Sequence, residues 1–492
     1  MAKLFKISGD DNVAVALEDI EAGYVDNELI LTALDDIPKA HKILLTDLRA
    51  GDNVIKYGYP IGRVTEDLPR GSYIHEHNLK TNLNDKLDYT FSGNTEYTPS
   101  FINYTIPAYN RKNGKVGIRN EIWIIPTVGC ANKAAEALAK IANDEIIGEG
   151  CDGVFAYTHP FGCSQLGDDM SNTQKILAGL IKHPNAGGVL VVSLGCENNN
   201  LSVFKPVLGD VDESRVKFLC MQDEDDEIEA GTALIKEIYN NIRNDKREPV
   251  NIDNLVIGYK CGGSDAFSGI TANPLCGLVN DKLTSAGATT ILTEVPEMFG
   301  AEQILMDRAK NREVFDKIVG MVNGFKDYFS SHGVVCYENP SPGNHAGGIT
   351  TLEEKSLGCI QKGGKSTVTD VLGYGEQCKT KGLNLLTGPG NDIVSVTNLT
   401  AAGAHIILFT TGRGTPLGAP VPTIKISTNT ELFNKKNNWI DFDAGKLIAN
   451  GNITELAHSL FSLIVNVASG KKTKNEVRGY REISIFKDGV IM

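Results

Sequence analysis

No stretch of the 492 residues is apolar for long enough to cross a bilayer. The longest apolar runs, such as Gly187 to Gly195, reach about half of the ~20 residues that a spanning helix needs. A basic block is missing too: 48 Lys plus Arg stand against 61 Asp plus Glu, a formal charge of −13. Such a balance makes polyphosphate backbones, and hence nucleic acid, poor partners. The opening MAKLFKISGDDN lacks the apolar core of a secretion signal, so a cytoplasmic location is expected. Nucleotide signatures fail on inspection. Lys362-Gly363-Gly364-Lys365-Ser366 resembles a phosphate loop, but Cys359 stands where the first glycine is required, and no G-x-G-x-x-G follows a strand. The absence of a G-x-S-x-G elbow argues against a serine hydrolase.

What is present is an ordinary globular composition, 41% hydrophobic and 22% charged, in a chain too long for one core. Glycine is abundant at 51 residues, and there are ten cysteines. Without an export signal these thiols are expected to be reduced, which ranks metal binding or catalysis above disulfides. No C-x-x-C pair occurs, so a zinc ribbon or a ferredoxin-type cluster is not supported.

The pattern along the chain predicts an α/β protein in three parts. Residues 1–95 carry short apolar runs (Val13 to Leu17, Lys42 to Leu45, Asn53 to Lys56) between glycine turns, which reads as a small β module. A polar linker continues to about residue 110 and lets that module dock on, and move against, the larger body. From Arg111 strand and helix patterns alternate, predicting parallel sheets in two α/β domains, 111–250 and 251–492.

Four cysteines occupy equivalent positions. Cys130, Cys163, Cys196 and Cys261 each closely follow an expected strand, where α/β folds build ligand sites. As a convergent set they suit Fe²⁺ or an iron–sulfur cluster; singly, each is equally a small core residue. His75 and His77, one residue apart, point to the same side if they lie on a strand, and neutral imidazole is a common ligand for zinc or iron. Lys260-Cys261-Gly262-Gly263-Ser264-Asp265 leads through Ser268 and Thr271 to Asn273, a glycine cradle with polar groups suited to a carboxylate and to polyol oxygens. Two further loops share this character, one around Asn344 and the other Thr410-Thr411-Gly412-Arg413-Gly414. In the second, Arg413 leaves a strand end ready to fork onto a carboxylate. Glu294 and Glu297 close another strand as candidates for metal or acid–base work.

DNVAVALEDIEAG, KYGYPIGR and IHEHNLKTN, then NGKVGIRN, THPFGC and VLVVSLGCE, then CGGSDAFSGITANP, NPSPGNHAGG and FTTGRGTP together resemble the altronate/galactarate dehydratase family. The resemblance runs nearly end to end. It implies an N-terminal SAF domain of β-clip type ahead of a large dehydratase body. The implied reaction is hydro-lyase chemistry on a sugar acid, D-altronate to 2-dehydro-3-deoxy-D-gluconate in hexuronate catabolism, dependent on Fe²⁺ with Mn²⁺ as a substitute. Length and the His75/His77 pair are closer to altronate-acting than to galactarate-acting members. His345 stands where the family pattern has Lys, so no role of that Lys carries over.

Such a β-elimination removes the C2 proton α to a carboxylate and expels the C3 hydroxyl, so negative charge must be neutralised at the carboxylate. Arg413 and a metal share that role in the expected site, with Ser264, Asp265, Asn273, Asn344 and Thr411 around the substrate. His159, Lys260 and Glu294 are the candidates for base or acid. Metal ligands are either His75 and His77 or the strand-end cysteines, as mononuclear iron or as a cluster. Galactarate, or a sulfonated hydroxy acid losing sulfite, are alternative substrates, and a non-catalytic sugar-acid-binding protein is the alternative of another class. A homo-oligomer is compatible with the sequence, which names no macromolecular partner.

Overall fold

The structure, a computed structural model, describes residues 3–83, 89–93, 103–336, 339–449 and 451–492. The linker stretches 84–88 and 94–102 lie outside the described residues. Val13–Ala16 is buried at every position and lies between Leu4–Phe5 and Lys42–Leu44 in a four-stranded antiparallel sheet that ends with Tyr73–Ile74. Asn53–Lys56, Tyr59–Val64 and Leu79–Lys80 form a second sheet. Tyr57 and Gly58, both at positive φ (61° and 77°), make the two-residue turn that a right-twisted hairpin requires. This is the small β module expected from the glycine-punctuated runs.

The polar stretch that follows does not stay unstructured to residue 110. Thr105–Asn110 is a strand with Ile106 and Ala108 turned inward, paired antiparallel with Glu248–Asn251. Two inward residues in a six-residue segment containing Pro107 are too weak a period to separate from coil.

Two parallel sheets build the body. The first runs in the order Val154–Ala156, Glu121–Pro126, Ala186–Ser193, Val216–Cys220. Its central runs, EIWIIP and AGGVLVVS, are buried throughout, as strands covered on both faces must be. The second has seven strands: Val368–Leu372, Gly382–Leu386, Thr289–Leu292, Val256–Cys261, Ile406–Thr411, Thr423–Ser427 and Phe442–Asp443. In each sheet the chain adds strands to one side of a starting strand and then crosses to the other. Crevices therefore open at the carboxyl ends, between Glu121–Pro126 and Ala186–Ser193 and between Val256–Cys261 and Ile406–Thr411.

The β module is packed into the body. Val13, Leu44, Val54 and Ile61 share one hydrophobic cluster with Phe299 and Leu357. Lys42 and Lys56, both fully buried, reach the carboxylate of Glu354 in the body at 2.9 and 2.6 Å. Among the described residues, no helix is long and apolar enough to cross a membrane.

Candidate active site

The crevice of the seven-stranded sheet holds a cavity of about 450 Å³. Asp265, Gly412, Arg413 and Asn429 line it from the body, and Lys39 and Ala40 close it from the β module. After the Ile406–Thr411 strand the chain folds back on the glycine cradle, with the amides of Gly412 and Arg413 donating to Gly263 O at 3.0 and 3.1 Å. A Cβ on Gly412 would lie 2.3 Å from the Asp265 carboxyl carbon, so only glycine permits this approach. Asp265 accepts from Thr428 Oγ1 at 2.9 Å and Asn429 Nδ2 at 3.3 Å; burial raises its pKa, and these hydrogen bonds offset part of the rise. Arg413 is exposed, and its guanidinium makes no hydrogen bond or ion pair with any described residue. Lys435 and Lys436 add positive charge to the same wall, while Lys39 is engaged by Glu431 at 3.5 Å. A cavity with a free guanidinium beside a buried carboxyl suits a polyhydroxylated anion.

Ala40 and Ala346 both line this cavity, and each is next to a histidine. The rings of His41 and His75 are 4.7 Å apart and those of His75 and His345 are 6.3 Å apart. Glu76 bridges His75 Nε2 and His345 Nε2, at 3.4 Å to each. Burial, with Lys42 and His41 adding repulsion, pushes the His75 imidazole down to about 3, so it is neutral, and its Nδ1 is buried without a partner. Two imidazole Nε2 atoms on one carboxylate are donors of the type a divalent cation takes. The strand reading of this pair does not hold: the strand stops at Ile74, and residues 75–78 form a turn closed by Asn78 N to His75 O at 3.1 Å. His77 instead packs on Tyr73, ring to ring at 5.4 Å.

A second donor set lies in the core. Sγ of Cys261, Sγ of Cys359 and carboxylate oxygens of Glu294 and Glu297 all lie within 4.8 Å of one another, and all four residues are buried. The two sulfurs are 3.4 Å apart. Three ammonium groups surround this set: Lys260 and Lys362 on Glu294, and Lys355 on Glu297 at 2.7 Å. Burial would lower Lys260, but Glu294, Asp392 and Glu297 overcome it and hold its pKa well above the ordinary value. Lys260 Nζ is thus taken up by Glu294, Cys261 O and Gly390 O, which disfavours it as a base, and these partners are not revealed by sequence spacing. Glu294, at a left-handed φ of 72°, is likewise committed to two ammonium groups. Cys261 has Cys359 for a neighbour and lies in a different sheet from the other three strand-end cysteines, so the expected set of four is split.

His159 is a brace in the four-stranded sheet. Its Nε2 meets Pro126 O at 2.8 Å, its Nδ1 accepts from Phe161 N at 3.2 Å, and burial lowers its pKa to about 4. Both ring nitrogens are occupied, which removes the proton-transfer role expected of it. Asn273 spans Gly358 O and Thr410 Oγ1, Asn344 spans Ser264 O and Ser341, and Thr411 Oγ1 accepts from Gly414 N at 2.8 Å. These three side chains shape the loops, whereas Asp265 and Arg413 face the cavity. Ser264 borders a small void of about 10 Å³ shared with Asp265, Cys261 and Cys359. Cys130, Cys163 and Cys196 are exposed on the loops of the other sheet. Sequence reasoning missed His41, Glu76 and Asn429; for His41, its neighbour Ala40 at the cavity wall is a purely tertiary signal.

Family profiles match the chain in order. Residues 2–82 match "Altronate/galactarate dehydratase SAF domain", 108–243 match "D-galactarate dehydratase/Altronate hydrolase, second domain", and 252–491 match "D-galactarate/Altronate dehydratase, C-terminal". The chain belongs to the altronate/galactarate dehydratase family, and its β module is the SAF domain of that family. Among its relatives, the altronate dehydratase of Escherichia coli K12 is 52% identical over 99% of both chains, and that of Bacillus subtilis 168 is 51% identical over 100% of both. The galactarate dehydratase (L-threo-forming) of Escherichia coli K12 is 34% identical over 95% of this chain and 93% of its own.

Proposed function

We propose that this protein is a cytoplasmic hydro-lyase that dehydrates D-altronate to 2-dehydro-3-deoxy-D-gluconate in the cavity between the SAF domain and the seven-stranded sheet. The observation that carries the reading is the unpaired Arg413 beside buried Asp265 in that cavity. Relatives that share half of its residues over their whole length bear the name altronate dehydratase, which favours altronate over galactarate.

Arg413 binds the substrate carboxylate and offsets the charge that grows on it as the C2 proton leaves. Asp265, made more basic by burial, takes that proton, and Asn429 and Thr428 steady its carboxylate. Ala40 and Lys39 line the cavity from the SAF domain. His75, Glu76 and His345 are the residues that would hold Fe²⁺, or Mn²⁺ in its place. Bound there, the metal supplies Lewis acidity toward substrate oxygens. The thiol–carboxylate set of Cys261, Glu294, Glu297 and Cys359 is a weaker host because three ammonium groups already occupy its carboxylates.

The test is an anaerobic assay of the purified chain on D-altronate and galactarate with Fe²⁺, Mn²⁺ or chelator, reading the 2-keto product. Keto acid from altronate, lost with chelator and in the Asp265→Asn variant, is the expected result. Saturable altronate binding without keto acid under iron-replete reducing conditions would sink the enzyme reading in favour of a sugar-acid-binding protein. Replacing His75 or His345 with Ala should weaken Fe²⁺ binding roughly 10–100-fold, and Cys359→Ser should leave it unchanged. The reverse pattern moves the metal to the core set.

A further inference from the structure

The dehydration reading leaves two thiols beside the glycine cradle unused. Cys261 ends the strand Val256–Cys261, and Cys359, 98 positions further along the chain, ends the helix Leu352–Cys359. Both are buried, and their sulfurs lie 3.4 Å apart. Both thiols donate to the same atom, Glu297 Oε2, at 3.2 and 3.4 Å, and Lys362 Nζ lies 3.0 Å from Cys359 Sγ. A shared acceptor and a nearby ammonium bring the two sulfurs into one polar pocket, which the packing of small apolar-like side chains does not require. A void of about 10 Å³, room for one water-sized molecule, borders both residues. Asp265 is a wall of this void and of the sugar-acid cavity alike, so the pair stands one side chain away from the open cavity.

We propose that Cys261 and Cys359 form a redox modification site, which a peroxide-class oxidant converts to a disulfide that switches the sugar-acid cavity off. A disulfide holds its sulfurs at roughly 2.05 Å, about 1.3 Å closer than this pair stands. In the first step Glu297 takes the Cys359 proton while Lys362 offsets the charge on sulfur. That sulfur attacks one peroxide oxygen, the O–O bond breaks, and the other oxygen leaves as hydroxide and becomes water on taking up a proton. In the second step the Cys261 sulfur attacks the sulfenic sulfur, the S–O bond breaks, and a second water leaves with the Cys261 proton. The two sulfurs together lose two electrons, and one peroxide gains them. A hydrogen bond with Cys261, and then burial, hold the Cys359 thiol well above its ordinary range against the pull of Lys362, so the resting pair keeps its protons. The effect on turnover rests on the dehydration reading. Cys261 directly precedes the Gly262–Asp265 segment, and Gly263 O in that segment accepts the amides of Gly412 and Arg413. Drawing Cys261 toward the helix end therefore displaces Asp265 and Arg413 together.

The experiment treats the full chain with hydrogen peroxide, removes the excess with catalase, alkylates free thiols in denaturant and maps the peptides by mass spectrometry. A parallel sample is resupplied with Fe²⁺ and assayed on D-altronate. The expected result is a peptide pair joined through Cys261 and Cys359 that dithiothreitol separates. Turnover should fall roughly tenfold or more as the link forms and return with dithiothreitol. Cys359→Ser and Cys261→Ser, checked by far-UV circular dichroism, should form no such link, and Cys359→Ser should keep its own turnover through the same treatment. Cys261 and Cys359 alkylated separately at full yield, after exposed Cys163 has been oxidised, overturn the site. An equal fall of turnover in Cys359→Ser overturns the switch. The link is read from peptides, so a chain that makes no keto acid before treatment fails the dehydration reading while the link is still decided.

Discussion

Arg413 offers the sharpest test of how an acidic protein with a net charge of −13 accommodates an anionic substrate. Truncation to Ala removes a guanidinium that makes no bond inside the protein, so folding should change by no more than ~0.5 kcal/mol. Binding is another matter. A hydrogen bond to a charged group is worth about 1.5–3 kcal/mol, and a fork onto a carboxylate makes two. Arg413 is exposed, and screening there brings the pair down to about 1.5–3 kcal/mol in total, or roughly 10–150-fold in kcat/KM. Because the carboxylate gains charge as the C2 proton leaves, part of the loss should fall on kcat as well as on KM. Arg413→Lys retains the charge without the fork and should fall between wild type and Ala. Steady-state kinetics on D-altronate with a thermal melt of each variant decides the matter. An Ala variant with more than a third of wild-type kcat/KM, or one whose melting temperature drops, refutes the carboxylate-clamp reasoning.

Other perturbations probe the surroundings. Gly412→Ala introduces a methyl 2.3 Å from the Asp265 carboxyl carbon and should raise KM and cost about 1–3 kcal/mol of stability, measured by denaturant titration alongside kinetics. Glu354→Gln leaves two buried ammonium groups unpaired and should cost about 3–5 kcal/mol near neutral pH. Burial alone would raise the Glu354 carboxyl, but Lys42 and Lys56 hold it well below its ordinary value of 4.5. A depressed carboxylate stabilises the fold fully above the unfolded-state pKa and loses that contribution as pH falls toward the folded-state value. The stability gap between wild type and Glu354→Gln should therefore shrink as pH falls below about 4.5; a gap that widens on acidification would contradict the buried triad.

The features legible in the sequence are those written locally. Continuous apolar runs such as IWIIP and VLVV identified buried parallel strands, and residues just beyond strand ends identified the glycine cradle, Asp265 and Arg413, because a strand's end is a topological position that short patterns reveal. What stayed hidden depends on partners far along the chain. Lys260 reads as a candidate base until Glu294 and Asp392 surround it, and His159 reads as one until Pro126 and Phe161 occupy its ring. The Glu354 triad joins residues separated by 312 and 298 positions, a relation no window of sequence contains. His75 illustrates the reverse error: a period-two argument fails when the strand ends one residue earlier.

That triad also bears on how the molecule can be divided. The SAF domain, the glycine-punctuated opening of the chain, looks like a detachable part. Yet it carries both cations of a charged triad whose anion is fixed in the body. A chimera with an SAF domain that lacks either lysine would leave Glu354 undercompensated in a dry core, and a body expressed without the domain would uncover the apolar surface beneath it. The seam where the sequence invites a cut is thus where recombination carries the heaviest penalty, and Lys42, Lys56 and Glu354 can be exchanged only as a unit.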